Sequence, residues 1–250
     1  MLLLEKLTFK LADGVISTNE SYKQIAMKRG GLSEKLIRVV RNGPDLTKFC
    51  ALPPDPKIKT KNRIVVGYLG NMNPQDGVDY LLMAAQEIIH RRGRKEFYFI
   101  FIGKGDAFEK LLSKKTDLEL DDYVSFTGRI SDEEMLCYLS SCDICVQPDP
   151  KNPLNDVSTM NKVMEYMALG KPVVAYDLVE TRYSGAECAL YAVPNSIEDL
   201  SNKIMILAEN EEMSIEMGRK GRNRVENFLA WKYSEKNLID LYRFVFTNDI

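Results

Sequence analysis

Lys162 and Glu165 lie about one helical turn apart in the segment from Asp149 to Ala175, DPKNPLNDVSTMNKVMEYMALGKPVVA. The segment divides into a polar loop over 149–159, a short amphipathic helix over about 161–169, and a strand opened by the turn Gly170-Lys171-Pro172. Ser158 and Thr159 suit the N-cap of that helix, because a side-chain oxygen there accepts one of the free first-turn N–H groups. The remaining N–H groups, from Ser158 through Asn161 to Lys162, together with the helix dipole, make such a start a cradle for phosphate. Lys162 stands in the first turn, where a cation opposes the dipole and calls for an anion nearby. Glu165, a turn further on, is placed to accept hydrogen bonds from hydroxyls next to a bound phosphate, such as those of a ribose. Gly170 reads as the C′ glycine that ends the helix.

Three further loops join this segment as candidates. Gly67-Tyr68-Leu69-Gly70 ends an apolar strand and runs into Asn71, so Gly70 is either a close approach for a phosphate or a plain turn. Gly103-Lys104-Gly105-Asp106 follows a second strand and brings Lys104 either to the same site or to the surface. Gly128-Arg129-Ile130 follows a third; Arg129 serves a phosphate or is a surface residue.

The stretch NKVMEYMALGKPVV resembles the donor-sugar motif of retaining glycosyltransferases of family 4, which have the two-domain GT-B fold. The similarity extends from about Ala12 to Tyr242 and includes the Arg41-Asn42-Gly43 linker signature. It implies a metal-independent hexosyl transfer with retention from a nucleotide sugar, UDP- or GDP-linked, to an acceptor hydroxyl. It makes Glu165 the second Glu of the family's E-x7-E pair and the ribose anchor, gives Lys162 and Glu165 the catalytic roles, and assigns donor contacts to Gly70, Asn71, Lys104, Arg129, Ile130, Ser158, Thr159 and Asn161. Ile130 lies in the segment that meets the nucleotide base through its backbone. No cofactor and no metal are implied. The chain departs from the family at three places. Val157, with Asp156 beside it, stands where the first Glu is expected. Asn71 and Asp76 stand where an Arg and a Lys usually clamp the diphosphate. Most of the N-terminal, acceptor-binding half is absent, which leaves the acceptor unknown and a partner chain as one way to supply it.

The elements that must hold these loops are legible as a β/α alternation. Strands are predicted over 64–69, 97–102, 124–127, 144–147, 172–175 and 189–193, with helices over 78–91, 107–113, 132–139, 161–169 and 197–209. Near-continuous apolar strands such as Phe97-Tyr98-Phe99-Ile100-Phe101-Ile102 suit a parallel sheet buried on both faces. The fold class is therefore α/β, a Rossmann-like doubly wound parallel sheet over 63–226, preceded by a small βαβ remnant over 1–50 and a Pro- and Lys-rich linker over 51–62. A last helix lies within 227–250, its apolar face either exposed or used in pairing.

Composition narrows the classes of function. A net charge of −2 gives no general attraction to nucleic acid. The one basic cluster, His90-Arg91-Arg92-Gly93-Arg94-Lys95, is either a solvated helix end or a patch for anionic lipid at the inner face of the membrane. Otherwise the chain reads as cytoplasmic. His90 is the single histidine, which removes Ser-His-Asp triads and His-rich zinc sites. Five irregularly spaced cysteines argue against a disulfide framework, and Cys142-x-x-Cys145 reads as core thiols. Asp149 and Asp156 read as solvated loop carboxylates. The alternative to an enzyme is a binding or assembly module that kept the fold and lost the chemistry. A dinucleotide enzyme would need a strand–GxGxxG–helix fingerprint that is missing.

Overall fold

The computed structural model describes residues 2–247. The larger unit is a six-stranded, all-parallel sheet in the order β5-β4-β3-β6-β7-β8. Its strands are β3 (Ile64–Leu69), β4 (Phe97–Ile102), β5 (Val124–Gly128), β6 (Ile144–Gln147), β7 (Val173–Tyr176) and β8 (Ala189–Ala192). Consecutive residues such as Val65 and Val66, or Val173 and Val174, are fully buried, so both faces of the sheet are covered. The covering helices form two groups. One comprises α3 (Val78–Gln86, continued by a π-turn to Arg91), α4 (Phe108–Asp117) and α8 (Ile197–Glu209), with α3 packed on the other two. In the other, α6 (Asn161–Ala168) packs on α7 (Val179–Gly185) and α9 (Glu211–Arg224). Helix α5 (Asp132–Ser141) lies against β3.

The sheet reverses direction between β3 and β6, where the pairing is short: Val66 opposite Ile144 and Gly67 opposite Cys145. Asp143 extends this join, its carboxylate accepting from Val65 N at 2.8 Å and holding Lys59 Nζ at 2.6 Å. Ligands of doubly wound sheets bind beyond the strand carboxyl ends at such a reversal. Gly67 is buried within β3, and a Cβ there would lie 2.4 Å from Cys142 Sγ. That glycine makes room for the thiol and is no phosphate contact. Cys142 and Cys145 are both buried, as core thiols should be.

The smaller unit holds α1 (Leu2–Leu11), β1 (Val15–Ser17), α2 (Glu20–Gly30) and β2 (Ile37–Val39), with β1 and β2 paired in parallel. Helix α10 (Trp231–Thr247) closes on it: Asn237 donates to Val39 O at 2.9 Å, Arg38 pairs with Asp240 at 2.7 Å, and Leu241 is buried. Ile239, Tyr242 and Phe246 of α10 remain exposed, as do all five leucines of α1. Residues 51–62 have no regular structure but are pinned, Leu52 N to Ser140 Oγ and Asp55 N to Ser141 Oγ.

Among the described residues, no helix is long and apolar enough to cross a membrane. In the basic cluster Arg91 and Arg92 both pair with Glu87, and Arg94 pairs with Glu96 and Glu209. Helix α7 has no counterpart among the predicted elements. Its first N–H, on Val179, is accepted by Asp156 at 3.1 Å, a partner 23 residues earlier that local pattern does not reveal.

Candidate functional site

The carboxyl ends of β3, β4, β5 and β6 meet at one edge of the sheet, and their loops touch through backbone. Gly103 has φ +125°, and a Cβ there would fall 2.1 Å from Gly70 O. A Cβ on Gly105 would lie 2.6 Å from Met72 N, and Ala107 N donates to Met72 O at 2.8 Å. Gly103 N donates to Gly128 O at 3.1 Å, which draws the third loop in. Gly70, Gly103 and Gly128 thus stand side by side, and Asn71, Lys104 and Arg129 project from them into solvent. Ile130 is half-buried. Gly103→Ala has neither the backbone freedom nor the space it needs. A loss of about 2–4 kcal/mol in urea unfolding is expected, with the sheet retained by circular dichroism.

Helix α6 starts differently from the sequence expectation. Its N-cap is Met160, which makes no side-chain capping bond, so Ser158 and Thr159 stand two residues and one residue too early to cap. Their oxygens are engaged elsewhere. Ser158 Oγ donates to Leu154 O at 2.7 Å and meets Tyr22 OH at 3.0 Å. Thr159 Oγ1 accepts from Asn19 Nδ2 at 3.0 Å and from Arg41 at 3.3 Å. The first N–H groups of α6 are therefore left without a side-chain cap. At the far end Gly170, with φ +67°, is the expected C′ residue.

Lys162 is 8% exposed, and its Nζ lies 2.8 and 3.0 Å from the two oxygens of Asp149, itself 2% exposed. The anion that a first-turn cation calls for is supplied by the protein. Asp149, expected in solvent, is buried, and the loop after β6 that carries it packs on Gly77, where a Cβ would fall 2.2 Å from Pro148 O; its carboxylate also accepts from Gln147 Nε2 at 2.8 Å. Lys162 Nζ stands 5.0 Å above the Tyr68 ring, and a Cβ on Gly70 would meet its Cε at 3.2 Å. Burial alone would lower the pKa of this ammonium; the Asp149 carboxylate, with Tyr68 and Asp76 adding to it, outweighs burial, and the pKa stands above the ordinary lysine value. Burial likewise raises the carboxyl of Asp76, partly offset by its hydrogen bond from Asn73. Tyr68, Gln147 and Asp149 were missed by sequence reasoning. The available signal was a carboxylate directly after a buried strand with an unexplained lysine in the next helix.

Glu165 is half-buried on the next turn of α6, and among the described residues no group hydrogen-bonds its carboxylate. Burial raises its pKa, and Lys162 offsets part of the rise. Asp156, beside the place of the missing first Glu, is committed to α7 and to Lys151 at 3.5 Å. Lys104 and Arg129 are exposed and join no ion pair among the described residues. Together these groups make a glycine-lined shelf, an uncapped helix start, two exposed cations outside any ion pair among the described residues (Lys104 Nζ lies 5.0 Å from the centre of the Phe108 ring), and one carboxylate that accepts no hydrogen bond among those residues.

A family model for glycosyl transferases group 1 matches residues 63–210, more than half of the chain and all of the elements from β3 to α8. The chain belongs to this family. Two relatives match over most of the chain. The N,N'-diacetylbacillosaminyl-diphospho-undecaprenol alpha-1,3-N-acetylgalactosaminyltransferase of Campylobacter jejuni is 30% identical over 249 residues, 92% of this chain and 61% of that protein. An uncharacterised glycosyltransferase of Methanocaldococcus jannaschii is 24% identical over 239 residues, 92% of this chain and 58% of its own length. The chain thus spans about three fifths of these relatives. Among solved structures, sucrose-phosphate synthase from Thermosynechococcus elongatus superposes with a TM-score of 0.81 at 22% identity, covering 98% of this chain and 61% of that one. HepE of Anabaena, in complex with UDP and glucose, gives 0.80 at 19% identity, covering 97% and 66%. The larger unit is accordingly the Rossmann-like half of a GT-B fold.

Proposed function

We propose that this chain holds the nucleotide-sugar donor in a metal-independent, retaining glycosyl transfer. The observation that carries the reading is the pairing of an uncapped α6 start with Glu165, a half-buried carboxylate that accepts no hydrogen bond among the described residues. The donor diphosphate lies over the first N–H groups of α6, against Gly70 and Asn71, with Ser158, Thr159 and Asn161 shaping the loop around it. Lys104 and Arg129 supply the compensating charge, and Lys162, paired beneath Gly70, fixes the shelf. Glu165 accepts from the ribose hydroxyls, and the backbone at Ile130 meets the base. HepE of Anabaena, a structural neighbour, has been solved in complex with UDP and with UDP-glucose, which supports a uridine nucleotide here.

In this reaction the bond between the sugar and the diphosphate breaks as the acceptor oxygen attacks from the same face. The acceptor proton passes to the departing phosphate. Charge builds on the diphosphate as it leaves, so fixed N–H dipoles and cations aimed at it are the main source of acceleration. The acceptor half comes from residues or a partner beyond those described, and the exposed faces of α1 and α10 suit its attachment. The name of the Campylobacter relative specifies an undecaprenol-linked acceptor, which makes a lipid-linked hydroxyl one class to try.

Calorimetric titration with UDP, GDP and ADP tests the reading. Saturable binding of one nucleotide is expected, tighter for UDP or GDP than for ADP. A folded chain that binds none at millimolar ligand would leave the second reading, a non-catalytic assembly module. The neutralised Lys162 and the absence of cations at Asn71 and Asp76 favour that alternative.

A further inference from the structure

The loop that opens α6 is tied to the smaller unit by buried polar contacts across the junction of the two units. Asn19 is completely buried and does two tasks at once. Its Oδ1 accepts from Tyr22 N at 2.8 Å and caps α2. Its Nδ2 donates to Val157 O at 2.9 Å and to Thr159 Oγ1 at 3.0 Å, residues 138 and 140 positions away in sequence. Arg41 adds a second donor to Thr159, its guanidinium held by Glu180 at 2.9 Å in a pair that is itself buried. Tyr22, one turn into α2, meets Ser158 through its hydroxyl. The three residues just before the N-cap of α6 are therefore each held by a side chain of the smaller unit.

We propose that Asn19 is a positioning residue for the donor site, its amide setting where the first N–H groups of α6 point. The inference rests on the donor reading above. Its physical basis is directional. Backbone N–H groups bind an anion only from a narrow range of orientations, and Thr159 directly precedes the residue from which α6 starts. A loop left free to shift spreads those N–H groups over many orientations, and a misplacement of an ångström is felt strongly in binding and rate. The same side chain caps α2, so the two units are registered to each other through one amide. A module supplying only fold stability would have no need to grip the peptide of Val157 and the hydroxyl of Thr159 together.

The test is Asn19→Ser, with Tyr22→Phe as the milder companion. Serine caps a helix as well as asparagine does, so α2 is preserved, but it is too short to reach Val157 O. Amide hydrogen exchange and titration with UDP and GDP are measured on both variants and on the unaltered chain. The expected result for Asn19→Ser is faster exchange confined to residues 157–161, unchanged exchange in α2, and an affinity for the bound nucleotide lower by about tenfold. Tyr22→Phe moves both readings the same way by less. A folded Asn19→Ser chain with unchanged exchange at 157–161, or with faster exchange but unchanged affinity, overturns the inference. Should the unaltered chain bind neither nucleotide, the donor reading falls. The inference, which rests on that reading, falls with it, whereas binding by the unaltered chain that Asn19→Ser leaves unchanged overturns the inference alone.

Discussion

Asp149→Ala will lower the unfolding free energy by about 3–5 kcal/mol, because it strands a buried ammonium. Among the described residues Lys162 has no other carboxylate in reach of a salt bridge, and with 8% exposure it has little water to turn to. Lys162→Met should cost a similar amount by stranding Asp149. Combining Asp149→Ala with Lys162→Met should cost much less than the sum, since no charge is left uncompensated. Urea unfolding of the two single variants and the pair measures this; additive losses would show that the two side chains do not act together. The sign with pH is fixed by the raised lysine. Its contribution is complete below the ordinary lysine pKa and is lost as pH rises through the higher folded value. The unaltered chain should therefore lose this contribution progressively once pH passes the point at which a free lysine deprotonates, and urea unfolding across alkaline pH checks it.

Glu165→Gln should separate binding from stability in opposite directions. A hydrogen bond to a charged acceptor contributes about 1.5–3 kcal/mol, so nucleotide affinity should fall by about ten- to a hundredfold. Stability should not fall with it. Burial raises the folded carboxyl, so the native state holds the proton more tightly than the unfolded chain does. The ionised form then weighs against folding as pH rises from the usual glutamate value through the folded one. Glutamine removes that penalty, so the variant should unfold no earlier than the unaltered chain at neutral pH, with the difference shrinking in acid. Calorimetry and thermal unfolding read the two effects separately. A variant that binds nucleotide normally would sink the role given to this residue.

The regular elements were legible because local forces decide them. The apolar runs of β3, β4 and β6 have the bounds expected from sequence, and α8 does too. Gly170 ends α6 as a C′ glycine should, for reasons contained within a few residues. What escaped was decided at long range. Ser158 and Thr159 have the chemistry of caps, but Tyr22, Asn19 and Arg41 claim their hydroxyls from more than a hundred residues away. Asp149 looked solvated because nothing in its neighbourhood announces that the loop packs against Gly77, far from it in sequence. Helix α7 depends on a carboxylate outside it. Within the site, then, the type and spacing of Lys162 and Glu165 were readable, and the partner that neutralises Lys162 was not.

The short join between β3 and β6 bears on how the chain assembles. Strands β3, β4 and β5 neighbour one another in sequence as well as in space, and so do β6, β7 and β8. Each trio can zip from nearby segments, whereas the join must close a loop from Val66 to Ile144 before its two residue pairs and the Asp143 bonds repay the entropy. The rate of reaching the native state then depends on that closure. A nucleotide lying over the strand ends would bridge both trios after the join has formed, so it would slow unfolding while leaving the speed of folding nearly unchanged.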